Sequence, residues 1–176
     1  PALAAVEDKP LIEFQAPADD ESLRAHFQKL HAESAAAKKK WRDPPNNRKG
    51  EPPFLRFAEQ FVKIGNTAPE TSSGRDALVQ VCAADLIAGS EELNRVILGL
   101  QQTASRLLLE HHFLDPEILP AIEVVAYRSK DVRGTARRLI RESTDRHIRA
   151  RASLVLARHF DGQLRLYGRS SRDTSV

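Results

Sequence analysis

Six histidines and one cysteine are the side chains of this 176-residue sequence best suited to metal or nucleophilic chemistry. The histidines are His26, His31, His111, His112, His147 and His159. None belongs to an H-E-x-x-H pattern, and no two stand four apart, the separation that lets two imidazoles on a helix share one zinc ion. His111 and His112 are neighbours, so on a helix they point in different directions; with Glu110 they could at best hold a metal at the surface, and none is assigned. Cys82 is the sole cysteine, which rules out an intrachain disulfide. It lies in LVQVCAADLI, where a thiol is expected to be a small buried hydrophobe. A nucleophilic cysteine needs a histidine or cations beside it, and the adjacent residues offer neither. No glycine-rich phosphate loop and no nucleophile elbow occur. The paired carboxylates Glu91-Glu92 fall at a helix start, where the dipole accounts for them. The expectation is a non-catalytic chain with no cofactor.

The remaining chemistry is cationic. Ten lysines and arginines against three acids between Arg128 and Arg158 give that segment a charge near +7, although the whole chain carries only +3. A second basic cluster, KKKWRDPPNNRK, contains Lys38, Lys39, Lys40, Trp41 and Arg42, where the indole among cations could stack on a nucleic-acid base. Lys38 to Arg42, with Arg137, Arg151 and Arg158, form the candidate interaction surface. Two partner classes follow from it: a protein, or as the alternative a nucleic acid bound through phosphates. Trp41 reads more simply as a hydrophobic plug at a helix end.

These residues must be positioned by helices. Aromatic content is 6% and period-2 runs of Val, Ile, Thr and Tyr are missing, so the composition favours helix over sheet. Residues 1–18 hold three prolines and read as an extended arm. An acidic start at Asp19-Asp20-Glu21 and the spacing of Leu23, Phe27, Leu30 and Ser34 predict a first helix to about Lys40. The loop RDPPNNRKGEPP separates it from a second helix, ended at Gly65-Asn66. A third helix carries Ala77, Leu78, Val81, Cys82, Leu86 and Ile87 and closes at Gly89. A fourth begins at Glu91, a fifth after Asp115 with Pro120 in its first turn, a sixth at about 130–142 and a seventh at about 145–161. The array thus occupies 19–161, with a flexible tail at 162–176. No stretch reaches the roughly 18 apolar residues that a membrane span requires. Ala2-Leu3-Ala4 resembles the small-residue end of a secretory signal peptide, so an exported location is expected.

Two late segments align without gaps at an offset of sixteen: Val132, Arg133, Ala136 and Ile140 against Ile148, Arg149, Ala152 and Leu156. Helical-hairpin repeats need roughly 34–47 residues, so this is no clean hairpin period. Asp145, Ile148, Arg149 and Ala152 match the D-x-x-V-R-x-x-A pattern of short HEAT repeats, while the other copy has Ser129 in place of the aspartate. At 100° per residue, Ile148, Ala152, Val155, Leu156, His159 and Phe160 fall within about 140° of arc. The cations of DRHIRARASLVLARHF are therefore dispersed, with Arg151 and Arg158 on the far side. That favours a packing helix over a phosphate grip. Asp145 and Arg149, four apart, are expected to pair or to bridge to a neighbouring helix.

With the helices placed, residues 23–160 resemble the helical region that precedes the redoxin domain in some exported bacterial thioredoxin-like proteins of the TlpA and AhpC type. The phrases that carry the resemblance are FLRFAEQFVKIGN, GRDALVQVCA and DVRGTARRLIRESTDRHIRARASLVLARHF, in that order. A redoxin domain would bring a C-x-x-C motif near a strand, which this sequence lacks, so no catalytic residue carries over. The resemblance implies a helical scaffold that presents a redox domain to partners. The combined expectation is an all-α antiparallel helical array, an α-α superhelix of about seven helices, HEAT-like or TPR-like.

Overall fold

The computed structural model describes residues 20–42, 53–84 and 91–170. They form seven α-helices: α1 (Asp20–Arg42), α2 (Pro53–Thr67), α3 (Ser72–Cys82), α4 (Glu91–His111), α5 (Ile122–Arg128), α6 (Val132–Glu142) and α7 (Arg146–Ser170). A 3-10 helix, Pro116–Ala121, leads into α5. Among the described residues there is no strand, so the fold class is all-α. No described helix is long and apolar enough to cross a membrane. The arm at 1–18, the loop around 43–52, and Leu86, Ile87 and Gly89 lie outside the described residues.

Each boundary has a chemical cause. Thr71 caps α3, accepting from the Gly74 N–H at 3.0 Å while its hydroxyl donates to the Ala68 carbonyl at 2.9 Å. Asp115 caps the 3-10 helix through the Glu117 N–H, and Asp131 caps α6 through the Gly134 N–H, both at 2.9 Å. Asp145 caps α7, accepting from His147 N–H at 2.7 Å and Ile148 N–H at 3.0 Å. Its carboxylate is thus spent on the helix end. Arg149 is exposed and reaches only the Ser143 carbonyl, at 3.4 Å, so the expected Asp145–Arg149 pair does not form. Pro120 falls in the 3-10 turn ahead of α5, where its missing N–H costs no α-helical hydrogen bond.

Sequential helices pack in order, α1 on α2, α2 on α3, α3 on α4, and α6 on α7, while α4 also touches α2 and α7 reaches back to α5 and the 3-10 turn. The core runs from Leu23 and Leu30 through Phe61, Ile64, Leu78, Leu108, Ile118, Ile122 and Leu139 to Ile148. Its largest members are fully removed from water, each contributing on the order of 2 kcal/mol. A second, small cluster joins Ala126, Ala136 and Val155, where the two alanines let α5, α6 and α7 approach closely. The segments aligned at an offset of sixteen match in burial at two of their apolar pairs: Ala136 and Ala152 are both inaccessible, and Ile140 and Leu156 are both half-buried, whereas Val132 is half-buried and Ile148 inaccessible.

The seventh helix is longer than its sequence pattern indicates. It continues through 162–170 instead of giving way to a tail at Phe160-Asp161. Polar contacts on successive turns sustain it: Asp161 pairs with Arg165 at 2.9 Å, and Gln163 bonds His159 at 3.2 Å. Residues 171–176 lie outside the described residues.

A polar clasp joins two turns at one end of the array. The Arg75 guanidinium donates to Asp115 at 2.7 Å, and the His112 Nε2 lies 2.6 Å from the Pro69 carbonyl. Burial works against the charged form of Asp115, but the Arg75 and Glu117 hydrogen bonds outweigh it, and the carboxyl sits below its ordinary range. Asp145 is also held low, first by the Ile148 N–H. Groups with depressed folded-state values stabilise the protein above their unfolded value of about 3.9 and lose that contribution as pH falls through the folded value. Thermal melts should therefore be flat from pH 7 to 5 and decline below about pH 4. Asp115→Asn should lower the melting temperature at pH 7 and flatten the acid limb; an unchanged acid limb would remove Asp115 from this account.

Candidate interaction site

The most organised polar arrangement starts from a buried amide. Gln101 lies on the inner face of α4 and is only 2% exposed. Its Nε2 donates to the Ala84 carbonyl at 2.9 Å, with the Cys82 carbonyl 3.5 Å away, so it caps the chain leaving α3. Its Oε1 accepts from the Arg128 Nε at 3.2 Å. Both ends of the amide are occupied, as burial demands. Arg128, the last residue of α5, is thereby fixed in direction while half-exposed.

Two grooves meet at Arg128. The first, about 740 Å³, runs between the end of α3, the 3-10 turn, α5 and α7, and is lined by Gln101, Pro120, Glu123, Arg128 and Arg151. The second, about 840 Å³, lies between α4, α5 and the start of α6, and is lined by Thr103, Arg106, Tyr127, Arg128, Lys130 and Arg138. In the first, Glu123 holds two arginines of α7, Arg151 at 2.9 Å and Arg158 at 3.0 Å. In the second, Arg106 pairs with Glu110 at 2.7 Å, and Arg138 pairs with Glu142 at 2.9 Å while covering the Phe113 ring at 3.8 Å. The Asp131 carboxylate in that groove is committed to capping α6. Lys130 has no ion-pair partner among the described residues.

Cys82 borders the first groove but is buried, with its sulfur 3.8 Å from the Ser105 hydroxyl. Burial pushes its thiol up to about 12, against the smaller opposing effects of Ser105 and Arg128. It stays a neutral thiol at physiological pH, which is the wrong state for nucleophilic attack. Among the described residues no group of three or more His, Cys, Asp and Glu is arranged to hold a metal ion. His111 faces Glu70 at 3.8 Å, whereas His112 turns inward to the clasp.

The candidate surface residues separate into different places. Arg151 and Arg158, seven apart on α7, are brought together on Glu123 and are braced rather than free. Arg137 is exposed on α6 and lines neither groove. Lys38, Lys39, Lys40, Trp41 and Arg42 end α1, which packs on α2 and α3. Lys39 and Lys40 are exposed there, Trp41 is half-buried with its indole nitrogen shielded from solvent, and the side chain of Arg42 lies outside the described residues. Sequence reasoning counted Arg128 and Lys130 only as part of a charge total and did not single out Gln101 or Glu123. A signal for Gln101 was present: it continues the line of Ile97, Ala104 and Leu108, where a polar residue faces the core.

Fold and site together define an all-α array with a cationic double groove. Comparison with protein-family models, with curated proteins and with solved structures returns no match to this chain.

Proposed function

We propose that this chain is a non-catalytic helical scaffold, an α-α superhelix of HEAT-like or TPR-like type, that binds another protein on the face carrying Arg128. The observation that carries the reading is the pair of adjoining grooves, the first walled by elements distant in sequence and the second by α4, α5 and α6, sharing one oriented arginine. Stacked-helix proteins commonly bind partners in such inter-helix surfaces. The proposed setting, beside a thioredoxin-like domain in an exported protein, rests on the family resemblance and, for export, on Ala2-Leu3-Ala4. Nucleic-acid binding through Lys38–Arg42 and the late arginines is the competing reading, and it is supported less well because Trp41 is half-buried and Arg151 and Arg158 are held by Glu123.

A photo-crosslinking amino acid placed at Lys130 or Arg151 of the full chain, in the cells that make it, tests the proposal. Discrete protein adducts are expected at both positions and none at Arg24, which is exposed on α1. Protein adducts nowhere, or adducts to nucleic acid at Lys39, would overturn it. A nucleic-acid role would also show a steep loss of affinity with salt in a DNA or RNA titration.

A further inference from the structure

We propose that Arg128 is the anchor of a carboxylate-binding site, and that the partner segment lying across the two grooves is an acidic polypeptide. This deepens the scaffold reading and rests on it. An arginine that binds an anion well is oriented before the ligand arrives, because ordering a long side chain opposes binding. Arg128 meets that condition through a buried relay: the Ala84 carbonyl fixes Gln101, and Gln101 fixes the Arg128 Nε. With Nε engaged, the two terminal nitrogens remain as an end-on fork, and neither forms a hydrogen bond to the described residues. A planar fork of this kind fits the two oxygens of a carboxylate.

The surroundings select the class of ligand. Lys130, two residues on, adds an exposed cation without an ion-pair partner among the described residues, and Arg151 stands in the neighbouring groove. Glu123 cannot neutralise the first groove, since its one charge is shared by Arg151 and Arg158. Both grooves are therefore net positive. Yet Glu123 in one and Glu110 and Asp131 in the other place fixed negative charge within each, which would repel the unbroken polyanion of a nucleic-acid backbone. A peptide with spaced carboxylates avoids that repulsion. The hydroxyls of Thr103, Tyr127 and Ser129 on the second groove donate to carbonyls of this chain, which leaves their oxygens to accept from the backbone N–H groups of such a peptide.

The test is fluorescence anisotropy of the full chain with a fluorescein-labelled peptide of six alternating Glu-Gly pairs at low salt. Arg128→Gln should weaken binding at least tenfold, Arg128→Lys about fivefold despite keeping the charge, and Lys130→Gln about threefold. Arg137→Gln, outside both grooves, should change it less than twofold. Equal losses for Arg128→Gln and Arg137→Gln would overturn the proposal in favour of diffuse charge attraction. So would tighter binding of an oligonucleotide of equal charge, or no binding of the peptide by the unaltered chain. Lys130→Gln keeps the test decisive if Arg128 variants unfold, because Lys130 is exposed in the α5–α6 turn. Failure here alongside protein crosslinks at Lys130 would remove the carboxylate site and leave the scaffold standing.

Discussion

Replacing Gly74 by alanine should destabilise the protein by about 2–3 kcal/mol, the upper part of the range of about 1–3 kcal/mol for forcing extra carbon into a packed site. For a chain of this size that corresponds to a fall of roughly 5–10 °C in melting temperature. A Cβ on Gly74 would collide with the backbone carbonyl of Ala68, and the Thr71 hydroxyl stands 3.2 Å away. The colliding atom is backbone and is held by the Thr71 hydroxyl, so no side-chain rotation relieves the clash. Helix propensity alone argues the other way, since alanine is better than glycine in a helix by about 1 kcal/mol. Gly99 separates the two effects. It lies exposed in α4 with nothing within 4 Å of an added Cβ, so Gly99→Ala should raise stability by up to about 1 kcal/mol. Urea denaturation of both variants checks the pair. A neutral Gly74→Ala would mean that the α2–α3 turn yields, and that the close approach is dispensable.

Gln101→Leu should cost about 2–3 kcal/mol although it preserves volume and adds apolar surface. The leucine removes the donor that satisfies the Ala84 carbonyl and the acceptor that satisfies the Arg128 Nε. Leaving buried polar groups unpaired costs about 1–3 kcal/mol, more where a charged group is involved. The denaturant midpoint should fall with an unchanged slope, as expected for a loss of stability without a change in the surface exposed on unfolding. A variant within about 0.5 kcal/mol of the parent would show that water replaces the amide, an ordinary tolerance for surface changes but not for a buried relay. Since the two ends of Gln101 serve different elements, the substitution should also release Arg128. Its effect on peptide affinity should approach the roughly fivefold loss of Arg128→Lys, since the charge stays and only its orientation is lost.

The apolar stripes were the legible part of the fold. Leu23 and Leu30, Phe61 and Ile64, Ala104 and Leu108, and Ile148 and Val155 recur at helical spacing and are all buried. The far ends were harder to read. Phe160-Asp161-Gly162 looks like a stop, yet α7 runs on because i, i+4 contacts such as Asp161–Arg165 sustain a helix without a core. Long-range ion pairs were not legible at all. Arg151 and Arg158 are separated from Glu123 by 28 and 35 residues, and nothing local marks that carboxylate as their partner. The same holds for Arg75 and Asp115, which are joined only when α3 and the 3-10 turn meet. Asp145 was legible as important but not in its role, since one aspartate before a helix can either pair with a cation at i+4 or cap the helix. Here the unsatisfied N–H groups win, being three residues or fewer away and already aimed at it.

Glu123 ties α5 to two positions of α7 about two turns apart and at the same time forms part of the first groove's wall. Docking of α7 and occupancy of the groove are therefore linked quantities. A ligand that prefers the groove with α7 in place must strengthen that docking by the same factor by which docking strengthens the ligand. A ligand whose carboxylate competes for Arg151 has the opposite sign and loosens the helix as it binds. The one carboxylate thus makes the outer helix a thermodynamic reporter of what the groove contains.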